Sequence, residues 1–239
     1  MHPLYDVDPT NPAFNPFTWY NLIGATGCVF WVIAYVMIVV KCFRQRTYGL
    51  PLVAICLNFA WELLASFVYP NPVALWHFFD RLWLAVDVVL AYQLFRWGRA
   101  EQQIPELRRH FVLVVLVTFG LGVWGQYAFV ASYQDRLGLV SAFGVNLIMS
   151  ILFVFFYFAR RETGHGLSRG GAVFKMLGTL GTSIECHWVV RLINPEMKSL
   201  AFLTFLCVTI FVVDLLYVYL VFTDPRTARL NPAPAAASS

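Results

Sequence analysis

Apolar residues come along this chain in seven long blocks: Trp19–Val40, Leu50–Tyr69, Val73–Phe95, Phe111–Ala131, Leu137–Ala159, Ala172–Ile193 and Leu200–Phe222. Each is close to the roughly 20 residues an α-helix needs to cross a bilayer core. None shows the period-two alternation of a barrel strand. The pattern predicts an all-α protein, a seven-transmembrane-helix bundle over residues 19–222. Residues 1–18 carry Pro3, Pro9, Pro12 and Pro16 and are expected to form an irregular exoplasmic segment. Residues 223–239 are expected to be a disordered cytoplasmic tail, because their end is rich in Pro, Ala and Ser.

Composition supports a membrane as the solvent. The chain is 59% hydrophobic and 13% charged, with mean hydropathy +0.66, whereas a soluble domain carries about 25% charged residues. Of the 17 Lys and Arg, all but Arg81, Arg136, Arg191 and Lys198 fall in one set of alternate loops and the C-terminal tail, with Lys175 counted there. Positive charge marks the cytoplasmic side, so the N-terminus is expected outside and the C-terminus inside. The net charge of +4 then reflects topology and gives no sign of nucleic-acid binding. The first block has no basic n-region and is too long for a signal peptide. A multi-pass protein of a bacterial plasma membrane or the endoplasmic reticulum is expected. The five cysteines have no C-x-x-C spacing and suggest no disulfide framework.

Four carboxylates interrupt the apolar blocks: Glu62, Asp87, Glu185 and Asp214. An ionisable group inside the hydrocarbon costs several kcal/mol and is a functional candidate. The bland alternative is that these acids are neutral and hydrogen-bond neighbouring helices together. Helix spacing gives each acid polar company on its own face. Asn58, Glu62, Ser66 and Tyr69 form one stripe, and Asp80, Trp83 and Asp87 a second. Asn146 with Ser150, Gly122 with Gln126, Thr182 with Glu185, and Asp214 with Tyr217 add four more. These stripes are expected to face one polar-lined cavity. Trp61, Trp83, Trp124 and Trp188 lie in or beside them. An aromatic face stabilises a desolvated cation by about 2 kcal/mol or more, so acids beside aromatics suit carbocation chemistry. The alternative is simple packing between helices.

Several chemistries lack their residues. Lys41, Lys175 and Lys198 all fall near block edges, so no lysine is expected where a retinal Schiff base would need one. There is no Asp-rich run to hold a magnesium diphosphate, and no D-x-D-D acid motif. The histidines are scattered without metal-ligand spacing. No metal and no cofactor are expected.

Asn58-x-x-Trp61-Glu62 in the second block, with Asp214-x-x-Tyr217 in the last, resembles the small integral-membrane terpene cyclases. These serve fungal meroterpenoid and indole diterpene pathways, with bacterial relatives acting on prenylated indoles. The resemblance covers nearly the whole chain. It implies Glu62 and Asp214 as the essential acids, and a membrane-bound cyclase that acts on a lipophilic prenylated substrate. A carboxylic acid in apolar surroundings stays protonated and can protonate an alkene or an epoxide, after which the cation runs along the polyene. Glu62 is the expected proton donor and Asp214 its partner, with the reverse assignment open. The expected substrate-binding residues are Asn58, Trp61, Trp83, Asp87, Gln126, Asn146, Glu185, Trp188 and Tyr217. A proton-coupled transporter or sensor would use the same acids as relays, but broken helices and inverted repeats are not evident.

Overall fold

Every apolar block folds as one long helix in the computed structural model, which describes residues 8–224 other than 196 and 198. The helices are α1 Trp19–Gln45, α2 Leu52–Phe67, α3 Ala74–Gln93, α4 Phe111–Tyr133, α5 Leu139–Arg160, α6 Arg169–Ile193 and α7 Ala201–Thr223. No strand occurs among the described residues. Most of the disordered-tail expectation, the start of the N-terminal segment, Lys198, Arg226 and Arg229 lie outside the described residues. Among the described residues, four helices are long and apolar enough to cross a membrane: α1, α4, α5 with its preceding turn, and α7. The apolar α2 has only 16 residues. Buried ionic side chains punctuate α3 and α6.

Local chemistry sets the breaks. Arg46 ends α1 in the left-handed conformation, and Pro51 precedes α2. Beyond α3 the chain passes through a π-helical turn, Leu94–Gly98, before leaving the helix. Asp135 opens α5 by accepting the Val140 and Ser141 N–H groups at 2.9 and 2.8 Å, which satisfies donors that a helix start leaves unpaired. Burial pushes the Asp135 carboxyl up, and those amides pull against it. Leu137 and Gly138 both take positive φ in this turn. Ser168 caps α6 through the Gly171 N–H.

Side-chain ties identify the two ends of the bundle. At one end the guanidinium of Arg160 lies over the rings of both Tyr48 and Phe156. It donates to Thr47, to the Tyr48 and His165 carbonyls, and to Glu101 at 2.5 Å. Three loops are knotted together there. At the opposite end Arg136 donates to the Ile193 carbonyl, Trp61 to the Gly138 carbonyl, and Asn21 to the carbonyls of Ala13 and Asn15. The loops thus alternate between ends, as the block pattern requires.

The closest helix pair is α1 with α6. A Cβ on Gly27 would sit 2.7 Å from the Gly178 carbonyl oxygen, and one on Gly181 would sit 2.9 Å from Gly27 Cα. Small residues let helix backbones approach in this way where lipid removes the hydrophobic drive for packing. α2 packs against α3, α4 and α5, while α7 packs against α5 and α6.

Candidate active site

Between α1, α2, α3, α5 and α6 lies a cavity with an empty volume of ≈ 1070 Å³ including its mouth. Ala13, Phe14 and Asn71 stand at the end of the bundle tied by Arg136. The wall is aromatic: Trp31 and Tyr35 from α1, Trp61 from α2, and Trp76, Phe79 and Trp83 from α3. Three carboxylates face the space, Glu62 from α2, Asp80 from α3 and Glu185 from α6.

Glu62 is 4% exposed, and its Oε2 has no protein hydrogen-bond partner among the described residues. A buried polar atom without a partner is costly, and here it belongs to a side chain lining the cavity. One turn below, Asn58 donates one amide hydrogen to Tyr35 Oη at 2.9 Å and another to Asp87 Oδ2 at 2.8 Å. Asn58 therefore ties α2 to α1 and α3 beside Glu62. Trp61 is held by its indole N–H on the Gly138 carbonyl at 2.8 Å, whereas the buried Trp83 Nε1 has no partner among the described residues. Glu185 has room because α1 carries Gly24 opposite it, where any Cβ would collide with the carboxylate.

Six of the expected residues line this cavity: Glu62, Asn58, Trp61, Trp83, Asn146 and Glu185. The other five lie elsewhere. Asp87 is buried behind Asn58. Gln126 donates to the Leu57 carbonyl at 2.9 Å, tying α4 to α2. Trp188 is 41% exposed and packs on Trp19 and Tyr20 at the outer face. Asp214 and Tyr217 of α7 lie outside the cavity lining.

The single cavity shared by Glu62 and Asp214 is thereby corrected, and the cause is Lys175. Its side chain is not at an edge: Lys175 is 2% exposed in the bundle interior. Its ammonium meets Asp214 Oδ1 and Oδ2 at 2.7 and 2.8 Å, Ser150 Oγ at 2.7 Å and Asn146 Oδ1 at 3.3 Å. Two residues escaped the sequence reading. Asp80 is a further buried carboxylate, legible in the sequence only as part of a polar stripe. Lys175 lies in the first turn of the sixth block, where the apolar pattern places it at a loop edge. Its signal was the Asn146 and Ser150 stripe, which needed a cation to serve. Among Glu62, Asp80, Asp87, Glu185 and Asp214, only Asp214 forms an ion pair among the described residues. No three His, Cys, Asp or Glu side chains among the described residues converge as metal ligands.

Aromatic walls, an unpaired carboxyl and no compensating cation make a place where a proton can be given to an apolar substrate and a cation sheltered. Residues 6–224 match the family model of Pyr4-like transmembrane terpene cyclases. Among curated relatives, terpene cyclase macJ of Penicillium terrestre is 29% identical over 70% of this chain and 66% of its own. Terpene cyclase spyD of Aspergillus fumigatus is 34% identical over 46% of each chain. Asnovolin H synthase nvfL of Aspergillus novofumigatus is 25% identical over 75% of each. The chain spans between 46% and 66% of the length of the first four curated relatives it matches. No solved structure matches.

Proposed function

This chain belongs to the Pyr4-like transmembrane terpene cyclases, and on that premise we propose that it cyclises a lipophilic prenylated substrate, with Glu62 as the proton donor. The family and the four long apolar helices make it a membrane protein. The observation that carries the proposal is the Glu62 carboxyl, buried in an aromatic-walled cavity with one oxygen unpartnered.

In the proposed reaction Glu62 gives its proton to an alkene carbon, or to an epoxide oxygen as the C–O bond breaks. The π pair of the next alkene closes each ring and passes the positive charge on. Trp61, Trp83, Phe79 and Trp31 line the cavity, and an aromatic ring face stabilises such a charge without forming a bond to it. A carbon next to the final cationic centre loses a proton to the carboxylate of Asp80 or Glu185, its C–H pair becoming the new alkene, or a hydroxyl of the substrate captures the cation and releases its own proton. The proton given by Glu62 is balanced by the one released, so substrate and product are isomers.

The same reading makes all seven helices membrane spans, with the cavity mouth on the exoplasmic side. α2 is about 24 Å long at the standard helical rise, and the turns at Pro51 and Tyr69 complete its crossing. Removing buried Lys175 from the loop charges leaves the Lys and Arg bias strong, which supports a cytoplasmic C-terminus in a multi-pass protein. The test uses membranes carrying the protein and a panel of farnesyl- and geranylgeranyl-substituted phenols and indoles, each ending in an alkene or an epoxide. A cyclic isomer formed only when the protein is present supports the proposal. A wild type that transforms none of them counts against it.

A further inference from the structure

Asp214 sits on α7, which does not line the cavity, yet it is buried against a lysine that touches the cavity's far wall from behind. Lys175 Nζ donates to Asn146 Oδ1 at 3.3 Å, and Asn146 lines the cavity. The same ammonium lies 5.4 Å from the ring centroid of Trp31, another wall residue, on a helix that Gly178 allows to approach closely. Asn146 is fixed a second time, donating to Thr179 Oγ1 at 3.2 Å. Ser150 takes the third hydrogen-bonding direction of the ammonium. The cluster has one cation and one anion, and both are almost wholly out of solvent.

Resting on the cyclase reading, we propose that Lys175 is a positioning residue that sets Asn146 and Trp31 as cavity floor and wall, and that Asp214 acts on the reaction only by neutralising and holding Lys175. The physical reason is electrostatic as well as steric. An uncompensated ammonium behind Trp31 would draw on the same ring quadrupole that the substrate cation needs on its open face. In a low dielectric its repulsion of that cation would be barely screened. With Asp214 in place the pair is neutral from the cavity side. Removing one partner of such a pair is destructive, whereas removing both charges together is often tolerated.

The experiment compares full-length wild type, Asp214→Asn, Lys175→Met, the double variant and Asn146→Ala in membranes, on whichever prenylated phenol or indole of the panel the wild type converts. Protein level, turnover per protein and the ratio of fully to partly cyclised product are measured. Each single charge variant should lose level or turnover on the order of tenfold or more, since each leaves a lone buried charge. The double variant should recover level, and turnover to within about threefold, once the lone charge is gone, with its product ratio shifted because Asn146 has lost a partner. Asn146→Ala keeps the ion pair and should be made at normal level, with more partly cyclised product. A double variant that is abundant but inactive would show that one of the two charged groups is itself needed by the reaction beyond setting the wall, and would overturn the proposal. So would an Asn146→Ala variant with wild-type kinetics and product ratio, which decides the matter even if the double variant fails to accumulate. A wild type that converts no probe counts against the cyclase reading and this proposal together. An active wild type with a dead double variant counts against this proposal alone.

Discussion

Buried Gln126 and half-buried Asn58 are both amides on long helices, and their partners separate their roles. Asn58 spends its donors on Tyr35 and Asp87 at the cavity edge, while Gln126 spends one on the Leu57 carbonyl between α2 and α4. Gln126→Leu should therefore cost about 0.6–1 kcal/mol, the usual worth of such a bond between membrane helices. The thermal midpoint in detergent should fall slightly, with turnover per folded protein retained. A collapse of turnover at unchanged midpoint would return Gln126 to the site. Helix spacing made Asn58, Trp61 and Glu62 legible as one inward face, because the period of a helix is visible in any sequence. It could not reveal Lys175, whose partner Asp214 is 39 residues away on another helix. Nor could it choose a face for Trp188, which lies one turn from Glu185 but turns to Trp19 and Tyr20 at the outer surface. Asp80 lies near the start of α3, where a carboxylate reads as a boundary residue until the N-terminal segment is seen at the mouth beside it.

At the scale of helices, the seam between α1 and α6 gives the sharpest test of packing. Gly27 faces backbone, so Gly27→Ala cannot be absorbed by a side-chain shift and should cost about 1–3 kcal/mol as overpacking does. Gly24 faces the Glu185 side chain, so Gly24→Ala should displace that carboxylate and reduce turnover more than it reduces protein level. Gly120 on the outer side of α4 meets nothing within 4 Å. Gly120→Ala should be neutral or gain up to about 1 kcal/mol from helix propensity. Thermal midpoints and membrane levels check the series, and equal losses at Gly27 and Gly120 would contradict the close-approach role. At the start of α5, Asp135→Ala removes the acceptor for two helix-start amides and should cost about 0.5–2 kcal/mol. The existence of these helices was plain from the apolar blocks. Their pairing was not, because the glycines that decide it sit in runs already apolar enough to span.

Over the whole molecule, polar chemistry divides into two compartments, an open one around Glu62, Asp80 and Glu185 and a closed ion pair of Lys175 and Asp214 beneath Asn146. Six inward stripes suggested one interior, and intrahelical periodicity has no means of showing that a lysine would partition it. Sidedness is a property of the whole chain as well. Reporters fused at Arg44, Gly98 and Gly164 should read cytoplasmic, and those at Asn71 and Asp135 exoplasmic. A cytoplasmic signal at Asn71 would contradict the seven-span arrangement. Proton donation by Glu62 is tested most directly by replacing only its acid. Glu62→Gln preserves the shape of the side chain and its hydrogen-bonding capacity, so the variant should reach the membrane at near-normal level. Incubated with the prenylated phenol or indole that the wild type converts, it should form no cyclic isomer. Cyclic product formed by Glu62→Gln at the wild-type rate per protein would contradict proton donation from Glu62.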